Sequence, residues 1–140
     1  MMAKFVLVLA ALCGLTGVAA GALGDHSLQT HLESKKITDV EKPRERLQIG
    51  VRYQMFHATA LIGVGVLLLA SDRGRFAALF SALCFVAGIL AFSGTLYALA
   101  FTQNESLAMI VPFGGMAYLI GWGALIVAGL QARPHGSDAE

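Results

Sequence analysis

The sequence predicts an all-α fold: a four-helix transmembrane bundle, antiparallel and up-down, forming one integral membrane domain over residues 1–140. Three observations predict it. Hydrophobic residues make up 56% of the chain and charged residues only 14%, where a soluble domain carries roughly 25% charged residues. The charges are unevenly placed, ten of them between Asp25 and Arg46. The remainder falls into apolar runs at about 5–24, 48–70, 76–101 and 107–131. Each is near or above the roughly 20 residues that a helix needs to cross about 30 Å of hydrocarbon.

The first run, Phe5 to Leu23, has Lys4 before it and Asp25-His26 after it. A secretory signal has the same ingredients, and Val18-Ala19-Ala20 would serve as its cleavage site. The glycine pattern argues for a retained span. Gly14, Gly17, Gly21 and Gly24 recur at steps of 3, 4 and 3, which puts them on one helix face. A small-xxx-small pair such as Gly17 and Gly21 lets a second helix approach closely in lipid. The polar connection 25–46 comes next, with Leu28, Leu32, Ile37 and Val40 scattered among nearly balanced charges. It is expected to be solvated, with a short interfacial helix capped at Ser27. Pro43 suits the first turn of the following helix, where its missing N–H is not needed.

The second span runs from about Leu47 to Ala70. Ser71 to Arg75 is long enough only for a tight turn, so the third span returns antiparallel beside the second. That third span, Phe76 to about Phe101, exceeds a perpendicular crossing and implies tilt or a protruding end. Thr102 to Glu105 forms the next turn, and Ser106 is the expected cap of the fourth helix. Pro112-Phe113-Gly114-Gly115 predicts a kink or a loosened first turn there. Ala117, Gly121, Ala124 and Ala128 give the fourth span a small-residue face of its own.

A net charge of +1 without a clustered basic face excludes a nucleic-acid partner. Cys13 and Cys84 lie deep in apolar runs and read as small buried hydrophobes, with no Cys/His spacing for a metal. Met55, Met109 and Met116 read as packing. No Gly-x-Ser-x-Gly elbow, phosphate loop or in-span carboxylate pair occurs, so no catalytic residue, metal or cofactor is expected. With four spans, the termini share a side with the Ser71–Arg75 turn. Lys4, Arg73, Arg75 and Arg133 stand there close to helix ends, and the turn between the third and fourth spans has no Lys or Arg. The positive-inside rule then puts both termini in the cytoplasm, against the opposing Lys35, Lys36, Lys42, Arg44 and Arg46.

Arg52-Tyr53-Gln54-Met55-Phe56-His57 opens the second span, and Ser93-Gly94-Thr95-Leu96-Tyr97 closes the third. Ionisable groups are costly in hydrocarbon, so these side chains need partners inside the protein. Tyr53 and His57 are four residues apart and share a face, as do Ser93 and Tyr97. Threading the spans gathers His26, Arg52, Tyr53, Gln54, His57, Ser93 and Tyr97 in one layer at the membrane face opposite the termini. Arg52 is expected to snorkel to headgroups. Three roles compete for the layer: fixing helix register through internal hydrogen bonds, holding a small molecule or lipid headgroup, or handling a metal or proton through His26 and His57 with Asp25. His31 and His135 are expected to be solvated.

Gly21-Ala22-Leu23-Gly24-Asp25-His26, Tyr53-Gln54-Met55-Phe56-His57, Phe92-Ser93-Gly94-Thr95-Leu96-Tyr97 and Pro112-Phe113-Gly114-Gly115 occur in order at set separations. Together they resemble the YgdD-like family of small bacterial inner-membrane proteins, a domain of unknown function. The resemblance covers nearly the whole chain and implies four spans and no established activity. That family usually has Ala where Asp25 stands here, and a shorter first loop, which implies that Asp25 is not a shared functional residue. The function expected is a small, non-catalytic inner-membrane protein that binds membrane lipid, a membrane-protein partner or a second copy of itself through the polar layer. The alternative is a small transporter or a metal- or proton-handling protein using His26 and His57. An enzyme acting on lipids or quinones is a third reading.

Overall fold

The structure is a computed structural model and describes residues 1–133; His135 lies outside the described residues. Among them are four helices long and apolar enough to cross a membrane: α1 (Met2–Ser34), α2 (Glu41–Ala70), α3 (Arg75–Thr102) and α4 (Glu105–Gln131). The chain is therefore a multi-pass integral membrane protein, all-α, with successive helices antiparallel.

The first departure from expectation lies in α1. The separate interfacial helix capped at Ser27 does not form, because α1 runs unbroken through Ser27 to Ser34. Its packing face never lapses. Gly17, Gly21 and Gly24 are followed by Leu28 and Leu32 at steps of 4, 3, 4 and 4, and the two leucines are buried with Leu47 and Ala100 against Ile37 and Val40. The polar loop expected over 25–46 thus shrinks to residues 35–40, and Pro43 is buried in the first turn of α2. α1 ends in a Schellman turn. The Ile37 N–H bonds to the Leu32 carbonyl and the Lys36 N–H to the Glu33 carbonyl, both at 3.0 Å, with Lys36 left-handed at φ 54°.

Lipid tails are as apolar as the helices, so association rests on close packing rather than on the hydrophobic effect. Along the α1–α2 seam, Gly17 faces Met55 and Gln54, Gly21 faces Val51, Gly24 faces Leu47 and Gly65 faces Leu7. Gly14 is not part of this seam: among the described residues nothing lies within 4 Å of the place its side chain would occupy. Ala10 and Gly17 are the buried residues at that level, and Gly14 sits at the edge of the stripe they define. The α3–α4 seam interlocks reciprocally. The Tyr118 ring lies on Gly88, the Phe85 ring lies on Gly121, and the Ser81 hydroxyl donates to the Gly121 carbonyl at 2.8 Å.

α3 carries a π-turn, Ile89–Gly94, between the α-helical stretches Arg75–Gly88 and Thr95–Thr102. At this turn the backbone of Ala91 and Phe92 crosses directly over Gly114 of α4. α4 opens with a 3₁₀ turn, Glu105–Ile110, before the α-helix Val111–Gln131. Its cap is Asn104, not Ser106: the Asn104 side chain accepts the Ser106 N–H at 3.2 Å. α2 and α3 form the centre, with 44% and 39% of their most apolar stretches buried against 17% in each of α1 and α4. α1 packs on α2, α4 packs on α3, and the backbones of α2 and α4 hardly approach one another.

Past the apolar zone, charge closes the α1–α2 hairpin on itself and ties it to the start of α4. Arg44 pairs with Asp25 at 2.8 Å, and Glu105 accepts from both Lys42 (2.8 Å) and Arg46 (2.7 Å). His31 is not simply solvated. It is half-buried, with its Nε2 2.9 Å from the Phe101 carbonyl oxygen, because the continuation of α1 lays it against the end of α3.

Candidate functional site

His57 organises the interior. It is buried on α2, about 20 Å of helix from Ala70, which places it inside a hydrocarbon layer of about 30 Å rather than at the rim. The Trp122 indole N–H donates to His57 Nε2 at 3.2 Å, and His57 Nδ1 stands 2.8 Å from the Tyr53 carbonyl oxygen. An indole can only donate. Nε2 is therefore the acceptor, the imidazole proton rides on Nδ1, and Nδ1–H donates to the carbonyl. The ring is neutral with both nitrogens engaged. Its face stacks on Tyr118, with centroids 3.5 Å apart and planes 7° from parallel, and Phe85 leans on it at 5.3 Å. The Tyr118 hydroxyl lies 3.4 Å from Ser93 on the π-turn of α3. Large rings thus bridge α2 and α4 where the backbones stay apart.

Gln54, three residues before His57 and so about 60° from it around α2, forms a second network beside the first. Its amide nitrogen donates to the Cys13 carbonyl at 2.8 Å and to the Thr16 hydroxyl at 2.9 Å, and its amide oxygen accepts from Tyr97 at 2.9 Å. One side chain so joins α1, α2 and α3. Tyr97 also lies against Gly50, whose missing side chain admits the ring.

The seven residues of the sequence-derived layer do not form one layer. Tyr53, Gln54, His57, Ser93 and Tyr97 come together in these two adjoining networks, within the apolar zone. His26 does not join them. The register set by Gly17 against Gln54 and Gly24 against Leu47 puts His26 about 18 Å of helix away from His57, and it is exposed. The two histidines therefore share no site, and Asp25 is paired with Arg44. Arg52 is exposed and stands apart from both networks.

Beside the ring stack lies a groove of about 650 Å³, lined by Tyr53, Phe56 and Thr59 of α2, Phe92 of α3, and Gly115, Leu119 and Trp122 of α4 among others. The separation of the α2 and α4 backbones creates it, and two small residues deepen it. Thr59 is short, and at Gly115 the nearest atom to an added Cβ is the Phe92 ring at 4.0 Å. Tyr53, Phe56, Leu119 and Trp122 are all partly exposed along it. It opens sideways, towards lipid, and its size falls in the roughly 300–1,000 Å³ range of small-molecule sites.

Over residues 20–115 the chain matches the family described as "Protein of unknown function (DUF423)". The chain belongs to that family. Relatives of this DUF423 member include a UPF0382 membrane protein of Haemophilus influenzae, 38% identical over 127 residues covering 91% of this chain and 94% of the relative. The UPF0382 inner membrane protein YgdD of Escherichia coli is 33% identical over 140 residues, all of both chains. A UPF0382 membrane protein of Staphylococcus haemolyticus is 35% identical over 125 residues, 89% of this chain and 94% of the relative. No solved structure matches the chain.

Sequence reasoning missed the α4 half of the site in this DUF423 protein. Tyr118 and Trp122 stand four residues apart, the same one-face spacing that singled out Tyr53 and His57. That spacing was the available signal. What it lacked was the depth of α4 against α2, which the α3–α4 seam sets.

Proposed function

We propose that this protein is a non-catalytic component of the bacterial inner membrane that holds the acyl chain of a membrane lipid in the groove between α2 and α4. The observation that carries the reading is the groove itself: an aromatic-lined recess opening into hydrocarbon, with its floor lowered by Gly115. The polar networks support it by what they withhold. Gln54, His57, Tyr97 and Trp122 satisfy one another, so the lateral surface offers aromatic faces rather than reactive groups. The Tyr53 phenol lines the same recess.

Trp122 is the one tryptophan of the chain, so quenching of its fluorescence by phospholipids brominated along the acyl chain reports occupancy. In vesicles holding a minor brominated fraction, quenching is expected to fall in Gly115→Leu, whose side chain fills the recess without a clash at Cβ. Equal quenching in the two proteins rejects the reading. Both termini are placed in the cytoplasm, supported by Lys4, Arg73, Arg75 and Arg133 at the helix ends on that side. A C-terminal alkaline phosphatase fusion should be inactive, and an active one reverses the orientation.

A further inference from the structure

Four cations of the hairpin end lie on α2 between Lys42 and Arg52, and the fold treats one of them differently. Asp25 takes Arg44, and Glu105 takes Lys42 and Arg46. Among the described residues Arg52 makes no ion pair and no hydrogen bond. The recess beside it is lined by Gly21, Asp25, Leu47, Gln48 and Val51, but the Asp25 carboxylate there is bound to Arg44 at 2.8 Å. An unpaired guanidinium is costly within hydrocarbon and stable among headgroups. The position of Arg52 fits the second case. About 29 Å of helix separates it from the Ser71 turn, close to the hydrocarbon thickness of about 30 Å. The groove begins directly below it. Arg52, Phe56 and Thr59 follow at steps of 4 and 3 on one face of α2, and Phe56 and Thr59 line the groove.

We infer that Arg52 is the headgroup anchor of the groove and that the lipid it selects is an anionic phospholipid. The inference rests on the acyl-chain reading of the groove. The lipid phosphate and its net negative charge supply the counter-ion that no described residue gives Arg52, with Gln48 one turn above to hydrogen-bond the phosphate oxygens. The acyl chain then descends over Phe56 and Thr59 into the recess. A zwitterionic phospholipid offers the same phosphate but no net charge, so it binds the groove more weakly.

The test uses the full chain in phosphatidylcholine vesicles containing a minor fraction of chain-brominated phosphatidylglycerol or, separately, chain-brominated phosphatidylcholine. Quenching of Trp122 is read as relative occupancy. Wild type is expected to prefer phosphatidylglycerol by roughly fivefold, the scale of one basic residue at an anionic surface. Arg52→Gln should bring the two lipids level while keeping quenching by both above that of Gly115→Leu, and Arg52→Lys should restore most of the preference. Arg52 has no partner among the described residues, so Arg52→Gln is expected to keep the wild-type melting profile. A preference that survives Arg52→Gln, or none in wild type, overturns the anchor and leaves the groove reading standing. Failure of Gly115→Leu to lower quenching by either lipid overturns both.

Discussion

Single residues decide how near these helices come, and glycines that look alike in sequence differ in what they face. A Cβ at Gly114 would run into the backbone nitrogen of Phe92, while at Gly17 the nearest atom, at 2.7 Å, is the Met55 sulfur. Backbone cannot step aside, whereas an unbranched thioether tail can. Gly114→Ala is therefore expected to destabilise the protein by about 1–3 kcal/mol, the scale of overpacking. Gly17→Ala should cost well under about 1 kcal/mol, because Ala is also the better helix former. Thermal unfolding in detergent checks both, and equal losses would refute the distinction. Lys36 presents the converse case. It holds the left-handed C′ position of the Schellman turn at φ 54°, where a side chain is strained and glycine is not. Lys36→Gly should raise stability by about 0.5–1 kcal/mol; a loss in the same assay would show that the lysine side chain contributes something the turn does not reveal.

At the scale of elements, the continuation of α1 beyond Asp25 matters most. The signal for it was in the sequence: the packing stripe of Gly17, Gly21 and Gly24 continues into Leu28 and Leu32. Charge density suggested a solvated loop, but charges on the outer face of a helix do not interrupt its inner one. The hairpin so formed is fastened to the start of α4 by Glu105. Hydrogen bonds from Arg46 and then Lys42 hold this carboxyl down to about 2, below its ordinary 4.5. Because the folded value is the lower, the clamp's stabilisation is complete above about pH 4.5 and is lost as pH falls towards 2. Glu105 is more than half exposed, so water and salt mute the effect. Wild type should lose stability between pH 4.5 and 2 more steeply than Glu105→Gln, with the gap narrowing at high salt. Parallel curves for the two proteins would show that the clamp contributes nothing.

At the scale of the whole molecule, Gln54 and His57, one helical turn apart on α2, hold the helices in register, the first through α1 and α3 and the second through α4. Gln54→Leu removes bonds to both α1 and α3 and leaves the Tyr97 hydroxyl unpaired, so it should cost about 1–3 kcal/mol. Tyr97→Phe breaks one of these bonds, and a double-mutant cycle between the two should show a coupling near 0.6 kcal/mol, typical of hydrogen bonds between membrane helices. Strictly additive losses would mean that the two side chains act separately. The sequence by itself determined that hydrocarbon is the solvent of this chain and that four helices are long and apolar enough to cross it, because hydropathy and small-residue spacing are properties of each helix alone. Only the tertiary structure decided which groups met. It left His26 outside, brought Tyr118 and Trp122 to His57 and opened the lateral groove. Those outcomes depend on the relative depth and rotation of helices far apart in sequence, which the glycine contacts and the π-turn of α3 set together.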